Sequence, residues 1–152
     1  MLEKNTKAPE FELPDENDQV HKLSDYLGKT VLLYFYPKDD TPGCTTEACE
    51  FRNDYGQYEK AGVVILGVSP DLPKSHKKFK EKYDLPFTLL SDVEHKVADL
   101  YGVWGKKSMY GKEYFGIKRT TYLIDESGTI LEVFKNVKPK GHSQQILAGL
   151  DK

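Results

Sequence analysis

The sequence predicts an α/β layered fold, a central mixed β-sheet flanked by helices, with an N-terminal extension. Three observations predict it. Strand-like and helix-like segments alternate along most of the chain. Two of the strand-like segments are apolar throughout, as strands buried on both faces are. A late pair of strand-like runs around a tight turn adds antiparallel strands to the sheet. The 152 residues, 38% hydrophobic and 30% charged, suit one globular domain spanning 1–152.

Each element has a local reason. Asn5 to Leu27 precede the first strong strand and form the extension. VLLYFYP, Val31 to Pro37, is a continuous apolar and aromatic run ended by proline, so it reads as a strand in the middle of the sheet. TPGC follows. Threonine then proline marks a helix start, because the N–H that proline lacks would have no partner in a first turn. From there Cys44, Ala48, Phe51, Tyr55 and Tyr58 recur at steps of four, three, four and three, which is one face of one helix turned to the core. AGVVILGVSPD holds a second buried strand, Val63 to Ser69. PKSHKKFKEKYDL, polar and lysine-rich with Phe79 and Tyr83 at i, i+4, reads as an exposed helix starting near Pro73. PFTLLSD reads as a short strand and HKVADLYGV as a short helix closed by Gly102. GKKSMYGKEY, Gly105 to Tyr114, reads as a loop, either exposed near the site or a functional lid. RTTYLIDESGTILEVF holds two strands around a turn at Asp125 to Gly128, and HSQQILAGL ends the chain as a helix. This order is that of a thioredoxin-like fold. Ligand sites in open α/β sheets form outside the carboxyl ends of strands, which is where TPGC lies.

The bulk properties exclude several roles. A net charge of −2 argues against a general nucleic-acid binder. No apolar run approaches the length of a membrane span. The opening MLEKNTKAPEFEL lacks the apolar stretch of a signal peptide, so a cytoplasmic protein is expected. Thiols are mostly kept reduced there, which favours a transient catalytic disulfide over a permanent one.

The only two cysteines, Cys44 and Cys49, sit five residues apart in YPKDDTPGCTTEAC. Cys44 falls in the first turn of its helix, where backbone N–H groups lack intrahelical partners and the dipole is positive. Both effects favour a thiolate and place Cys44 as a nucleophile. In an intact helix, five residues mean a rise of about 7.5 Å and a rotation of about 140°, so the two Cα atoms stand roughly 8–9 Å apart. A disulfide requires about 7 Å or less. The pair therefore bonds only if the first turns unwind. The residues alone leave two ordinary buried cysteines as an alternative. A metal site lacks further ligands at a metal-binding spacing, and no iron–sulfur or C-x-x-C motif is present. His21, His76, His95 and His142 lie in polar, lysine-rich or turn contexts and read as surface residues.

Only two of the 22 basic residues are arginine, Arg52 and Arg119. In so lysine-rich a chain, arginine suggests a place where its rigid fork matters. Arg119 opens RTTYLI at the edge of a core strand and is placed to reach the thiolate, or is an ordinary strand-edge charge. Arg52, two turns after Cys44, reads as a helix salt bridge.

YPKDDTPGCTTEACEFR resembles the active-site segment of peroxiredoxins, in the bacterioferritin comigratory protein (PrxQ) subfamily. The family pattern P-x-x-x-T-x-x-C is met by Pro37, Thr41 and Cys44. The likeness extends through APEFELPDENDQVHKLSDYLGKTVLLYFYP, GVSPD, LLSD, YGVWG and RTTYLIDESGTI, nearly the whole chain. It implies a thioredoxin fold, no metal and no organic cofactor. It implies Cys44 as the peroxidatic cysteine and Cys49 as a resolving cysteine in the same helix. Thr41 would bond the thiolate and the peroxide, Pro37 would shield the site from water, and Arg119 would stabilise the thiolate and the reacting oxygens. Glu47 would support the site without reacting. The implied substrates are hydrogen peroxide and alkyl hydroperoxides, the implied reductant is thioredoxin or a similar dithiol, and the implied state is a monomer or weak dimer that engages neither nucleic acid nor membrane. A redox relay that passes its disulfide to a partner, and a non-catalytic interaction module with inert thiols, are the competing expectations.

Overall fold

The N-terminal extension runs across the sheet that follows it. In the computed structural model, which describes residues 2–150, it forms a short hairpin of β1 (Glu12–Pro14) and β2 (Val20–Lys22), then a 3-10 turn over Leu23–Tyr26. Met1, Asp151 and Lys152, the ends of the domain expected over 1–152, lie outside the described residues. Ala8, Phe11, Leu13 and Leu23 turn their side chains into the core, which pins the extension to one face of the sheet.

The central sheet holds five strands: β3 (Thr30–Phe35), β4 (Val63–Ser69), β5 (Thr88–Ser91), β8 (Thr120–Ile124) and β9 (Ile130–Phe134), in the order β5-β4-β3-β8-β9. β3, β4 and β5 are parallel, while β8 and β9 run antiparallel to their neighbours. β3 is the middle strand, paired along both edges. Val31, Leu33 and Phe35 face one core cluster and Leu32 and Tyr34 the other, which is why VLLYF shows no polar alternation. Gly67 of β4 is a packing necessity, since a Cβ there would stand 2.9 Å from both the Tyr34 ring and Leu89.

Helices cover both faces. α1 (Pro42–Asn53), α2 (Tyr55–Lys60), α3 (Pro73–Tyr83) and α5 (His142–Leu150) bury Ala48, Phe51, Tyr58, Phe79, Ile146 and Leu147 against one side. α4 (Lys96–Leu100) and the extension cover the other, through Val97 and Ala98. The mixed sheet between helices is the arrangement expected from the alternating pattern.

Three expectations are corrected. The single helix expected from Cys44 to Tyr58 is two helices, broken at Asp54, whose carboxylate accepts from Ser143 Oγ at 2.6 Å and Gln144 Nε2 at 2.9 Å. Tyr58 keeps its inward face across the break, so periodicity could not reveal it. The loop expected at GKKSMYGKEY is most of a hairpin, β6 (Trp104–Met109) with β7 (Lys112–Ile117), turning through Tyr110 and Gly111 at φ 53° and 78°. His76 and His142 are not surface residues: they are 0% and 2% exposed. His76 Nε2 donates to Leu90 O at 2.9 Å, while its Nδ1 lies 2.7 Å from Asp39 Oδ2. Asp39 also accepts from Tyr36 Oη and Ser75 Oγ, and its own N–H donates to Asp71. This network ties α3 and β5 to the loop between β3 and α1, the loop on which the site is built. No helix among the described residues is long and apolar enough to cross a membrane.

Candidate active site

The site begins where β3 ends. Pro37 is half-buried just past the strand, and the chain turns through Lys38, Asp39 and Asp40 into Thr41. Thr41 caps α1 in an extended conformation, and its carbonyl accepts the helix's first bond, from the Thr45 N–H at 2.8 Å. Pro42 occupies the first helical turn, as the sequence predicts. Gly43 and Cys44 follow before the bonding ladder is complete, so their amides stand at the positive end of the helix. The Thr41 hydroxyl donates to Lys38 O at 2.8 Å rather than to the sulfur.

Cys44 is 1% exposed and belongs to the buried cluster that includes Leu32, Tyr34, Tyr36 and Ala48. Arg119 enters this apolar setting from the residue before β8, and its Nη2 donates to Cys44 Sγ at 3.3 Å. The other arm of the fork, Nη1, donates to Glu47 Oε1 at 2.8 Å. Glu47 is one turn after Cys44, so both project from one face of α1. Burial pushes the Glu47 carboxyl up to about 7 against the pull of Arg119, and nearby Glu50 adds to the rise. Burial works against the Arg119 charge too, yet Glu47 and Cys44 hold that guanidinium above its ordinary value. Burial therefore wins at the acid and the ion pair wins at the base. The acid is fully enclosed, while 16% of the arginine side chain reaches solvent.

Cys49 lies further along the same unbroken helix, half-buried, and both thiols are free. Arg52 is not in the site, and it forms no ion pair among the described residues. It donates to Tyr83 O at 2.8 Å and to Asn53, so it fastens α1 to the end of α3 instead of bridging to an acid.

Two contributors escaped the sequence reading. Gly43 leaves the space the guanidinium uses: a Cβ there would stand 3.1 Å from Arg119 Nη2. Lys107 of β6 donates to Ile117 O at 2.8 Å, two residues before Arg119. Burial lowers its pKa, the Arg119 charge lowers it further, and Cys44 pulls the other way. Nothing in the local sequence of either residue marks it. Both matter only because β8 brings Arg119 beside α1.

A family model described as the AhpC/TSA family matches residues 5–133 of the chain. The putative peroxiredoxin bcp of Coxiella burnetii is 53% identical over 149 residues, covering 98% of this chain and 99% of the relative. The peroxiredoxin Bcp of Bacillus subtilis is 50% identical over 149 residues, covering 98% and 95%. Among solved structures, a cysteine-to-serine mutant of PrxQ from Xylella fastidiosa superposes with a TM-score of 0.91 at 34% identity, covering 99% and 98%. The bacterioferritin comigratory protein of Xanthomonas campestris, studied for alkyl peroxide reduction in trapped intermediate and ligand complexes, superposes with a TM-score of 0.88 at 38% identity, covering 93% and 90%.

Proposed function

The chain belongs to the AhpC/TSA family and is a peroxidase of the Bcp/PrxQ peroxiredoxin type, and from that premise we propose that Cys44 reduces hydrogen peroxide and organic hydroperoxides, that Cys49 resolves it, and that thioredoxin or a similar dithiol recycles it. One observation carries the assignment of residues: the contact of Arg119 Nη2 with Cys44 Sγ at the start of α1. A positive group and helix-start amides converge on one sulfur in an otherwise apolar pocket, which is what a nucleophilic thiolate needs.

The Cys44 thiolate attacks the terminal peroxide oxygen and the O–O bond breaks. Arg119 is aimed where charge moves, from sulfur to the leaving oxygen, so it stabilises that charge shift without reorganising. Cys44 becomes a sulfenic acid and water or an alcohol leaves. Pro37 and the Asp39 network hold the loop that covers the site, and Thr41 lies at the helix start, where its hydroxyl can turn from Lys38 O toward the substrate. The first turns of α1 then unwind and Cys49 attacks the sulfenic sulfur, giving a disulfide and water. Exchange with a dithiol restores both thiols, and the helix reforms. A single domain over 1–152, monomeric or weakly dimeric and cytoplasmic, suffices for this cycle.

One equivalent of hydrogen peroxide on the reduced protein tests it. Both thiols are lost, the mass falls by two hydrogens and no dimer forms. Two surviving thiols would overturn the reading. Sustained consumption of peroxide with thioredoxin and its reductase, rather than a single stoichiometric oxidation, separates the enzyme from a relay.

A further inference from the structure

Arg119 is one cation facing two acids. Its fork spans Glu47 Oε1 at 2.8 Å and Cys44 Sγ at 3.3 Å. Glu47 is 1% exposed, and its second oxygen, Oε2, is buried with no hydrogen-bond partner among the described residues. With both acids ionised, the one fork that bonds them would balance two negative charges, since Lys107 of β6 bonds Ile117 O and, among the described residues, neither acid. An unpaired buried carboxylate oxygen is also costly, far more so than a carboxyl O–H. Oε1 already takes the Arg119 bond, so a proton belongs on Oε2.

We propose that Glu47 stores the proton of the peroxidase reaction: it is a neutral acid while Cys44 is a thiolate, and it gives its proton to the leaving oxygen as Cys44 is oxidised. The step balances. The sulfur pair forms the S–O bond to the terminal oxygen, which keeps its hydrogen, so Cys44 becomes S–OH. The O–O pair leaves on RO⁻, which takes the Glu47 proton to give ROH. Before the step the site holds Arg119⁺, Cys44 S⁻ and neutral Glu47; after it, Arg119⁺, neutral sulfenic acid and Glu47 carboxylate. The net charge of these groups is zero throughout, and Arg119 exchanges one counter-ion for the other without moving.

The surroundings fit this role. From α1, Glu50 faces Glu47 with negative charge and Cys44 lies one turn before it; from the start of β8, Arg119 faces it with positive charge; from β3, the buried Tyr34 hydroxyl lies within the field of both acids; from β6, Lys107 lies within the field of Cys44 and Arg119; and His142 of α5 lies within the field of Arg119 and Glu50. Burial raises the carboxyl, and a thiolate on Cys44, which shares the Arg119 fork with it, favours the protonated acid until the sulfur is neutralised. The role rests on the peroxidase reading above.

The test uses leaving groups. Reduced full-length protein, wild type and Glu47→Gln, is mixed at pH 6 with tert-butyl hydroperoxide or with peracetic acid, and Cys44 oxidation is followed by rapid quench. The alkoxide leaving group needs a proton, whereas acetate needs none. The amide of the Glu47→Gln variant would still accept from Arg119 but carries no acidic proton to give. We expect Glu47→Gln to slow about 100-fold with the hydroperoxide and less than about threefold with the peracid, general acid catalysis being worth factors of this order. Equal losses with both oxidants would mean that Glu47 only orients Arg119, and would overturn the proposal; so would no loss with either. Wild-type protein inert to both would instead overturn the peroxidase reading. A second readout is independent of rate. In Cys49→Ser protein, which stops at the sulfenic acid, rapid mixing with one equivalent of peroxide should transiently bleach, in step with Cys44 oxidation, a buried protonated-carboxyl infrared band that Glu47→Gln lacks. A band that stays unchanged while Cys44 is oxidised overturns the proposal.

Discussion

Arg119 Nη2 lies 3.3 Å from Cys44 Sγ, a contact between residues 75 positions apart in the chain. The same guanidinium holds Glu47, so its position is set from two sides. Lysine offers one point charge where arginine offers a planar fork, and cannot serve both partners with that geometry. Arg119→Lys should slow Cys44 oxidation by roughly 100-fold, the loss typical of one aimed donor, while leaving the fold intact. Stopped-flow oxidation beside a circular dichroism spectrum checks both halves. A rate within a few-fold of wild type would remove Arg119 from the chemistry.

The two cysteines separate by substitution. Cys44→Ser should lose the reaction with peroxide altogether. Cys49→Ser should react once and stop at sulfenic acid or over-oxidise, measured as a mass gain of one oxygen or more. Because an intact helix keeps the pair too far apart to bond, wild-type oxidation should also reduce the helical dichroism signal, by the order of one or two turns. Cys49→Ser should oxidise without that loss. Normal turnover of Cys49→Ser with thioredoxin would end the resolving assignment.

Gly43 sets how close the guanidinium can come. A methyl group at this position would press on Arg119 Nη2 at 3.1 Å and on Pro139 at 3.4 Å, so the fork must shift by a few tenths of an ångström. Small displacements of aligned groups are expensive in rate, and Gly43→Ala should slow peroxide reduction by about tenfold. Its melting temperature should change little, since the neighbour that yields is a side-chain tip. An unchanged rate would show that the fork has slack.

Glu47 should leave a signature in stability. Its folded carboxyl is raised to about 7 from an ordinary 4.5, so between those values the native state binds more protons than the unfolded chain. Stability from this group is therefore present at low pH and is lost as pH rises through that window, by up to about 3 kcal/mol at 1.36 kcal/mol per unit. His142 has the opposite sign: burial lowers its pKa, so its contribution falls away as pH drops below its unfolded value. Comparing wild type with Glu47→Gln removes the histidine term. The variant should gain on wild type as pH rises from about 4.5 to 8 in urea unfolding of reduced protein. A constant difference across that range would place the folded carboxyl near its ordinary value.

Much of the fold is legible in local pattern. Val63 to Ser69 is bounded in the structure as in the sequence, because an apolar run between a glycine turn and a proline leaves little choice. Pro42 marks the start of α1 for a reason internal to the dipeptide. The misreadings share a cause. The helix breaks at Asp54, whose carboxylate takes its donors from α5, about ninety residues away. His76 and His142 look like surface residues beside their polar neighbours, yet each is buried by partners from other elements: Leu90 and Asp39 for one, Thr121 for the other. Arg52 has acids nearby in sequence, but the partner it reaches is a carbonyl at the end of α3.

The sequence by itself determined the order of strands and helices, the place of Cys44 at a helix start, and the separation that keeps Cys49 out of reach while the helix stands. These follow from backbone geometry and spacing within a few residues. Only the tertiary structure decided that Arg119 meets Cys44, that Glu47 shares that arginine, and that Gly43 makes room for it. Those contacts depend on β8 lying antiparallel beside β3, and the charge state of Glu47 depends on how completely the packed elements exclude water from it. Neither pairing across the sheet nor exclusion of solvent has a period that can be read along the chain.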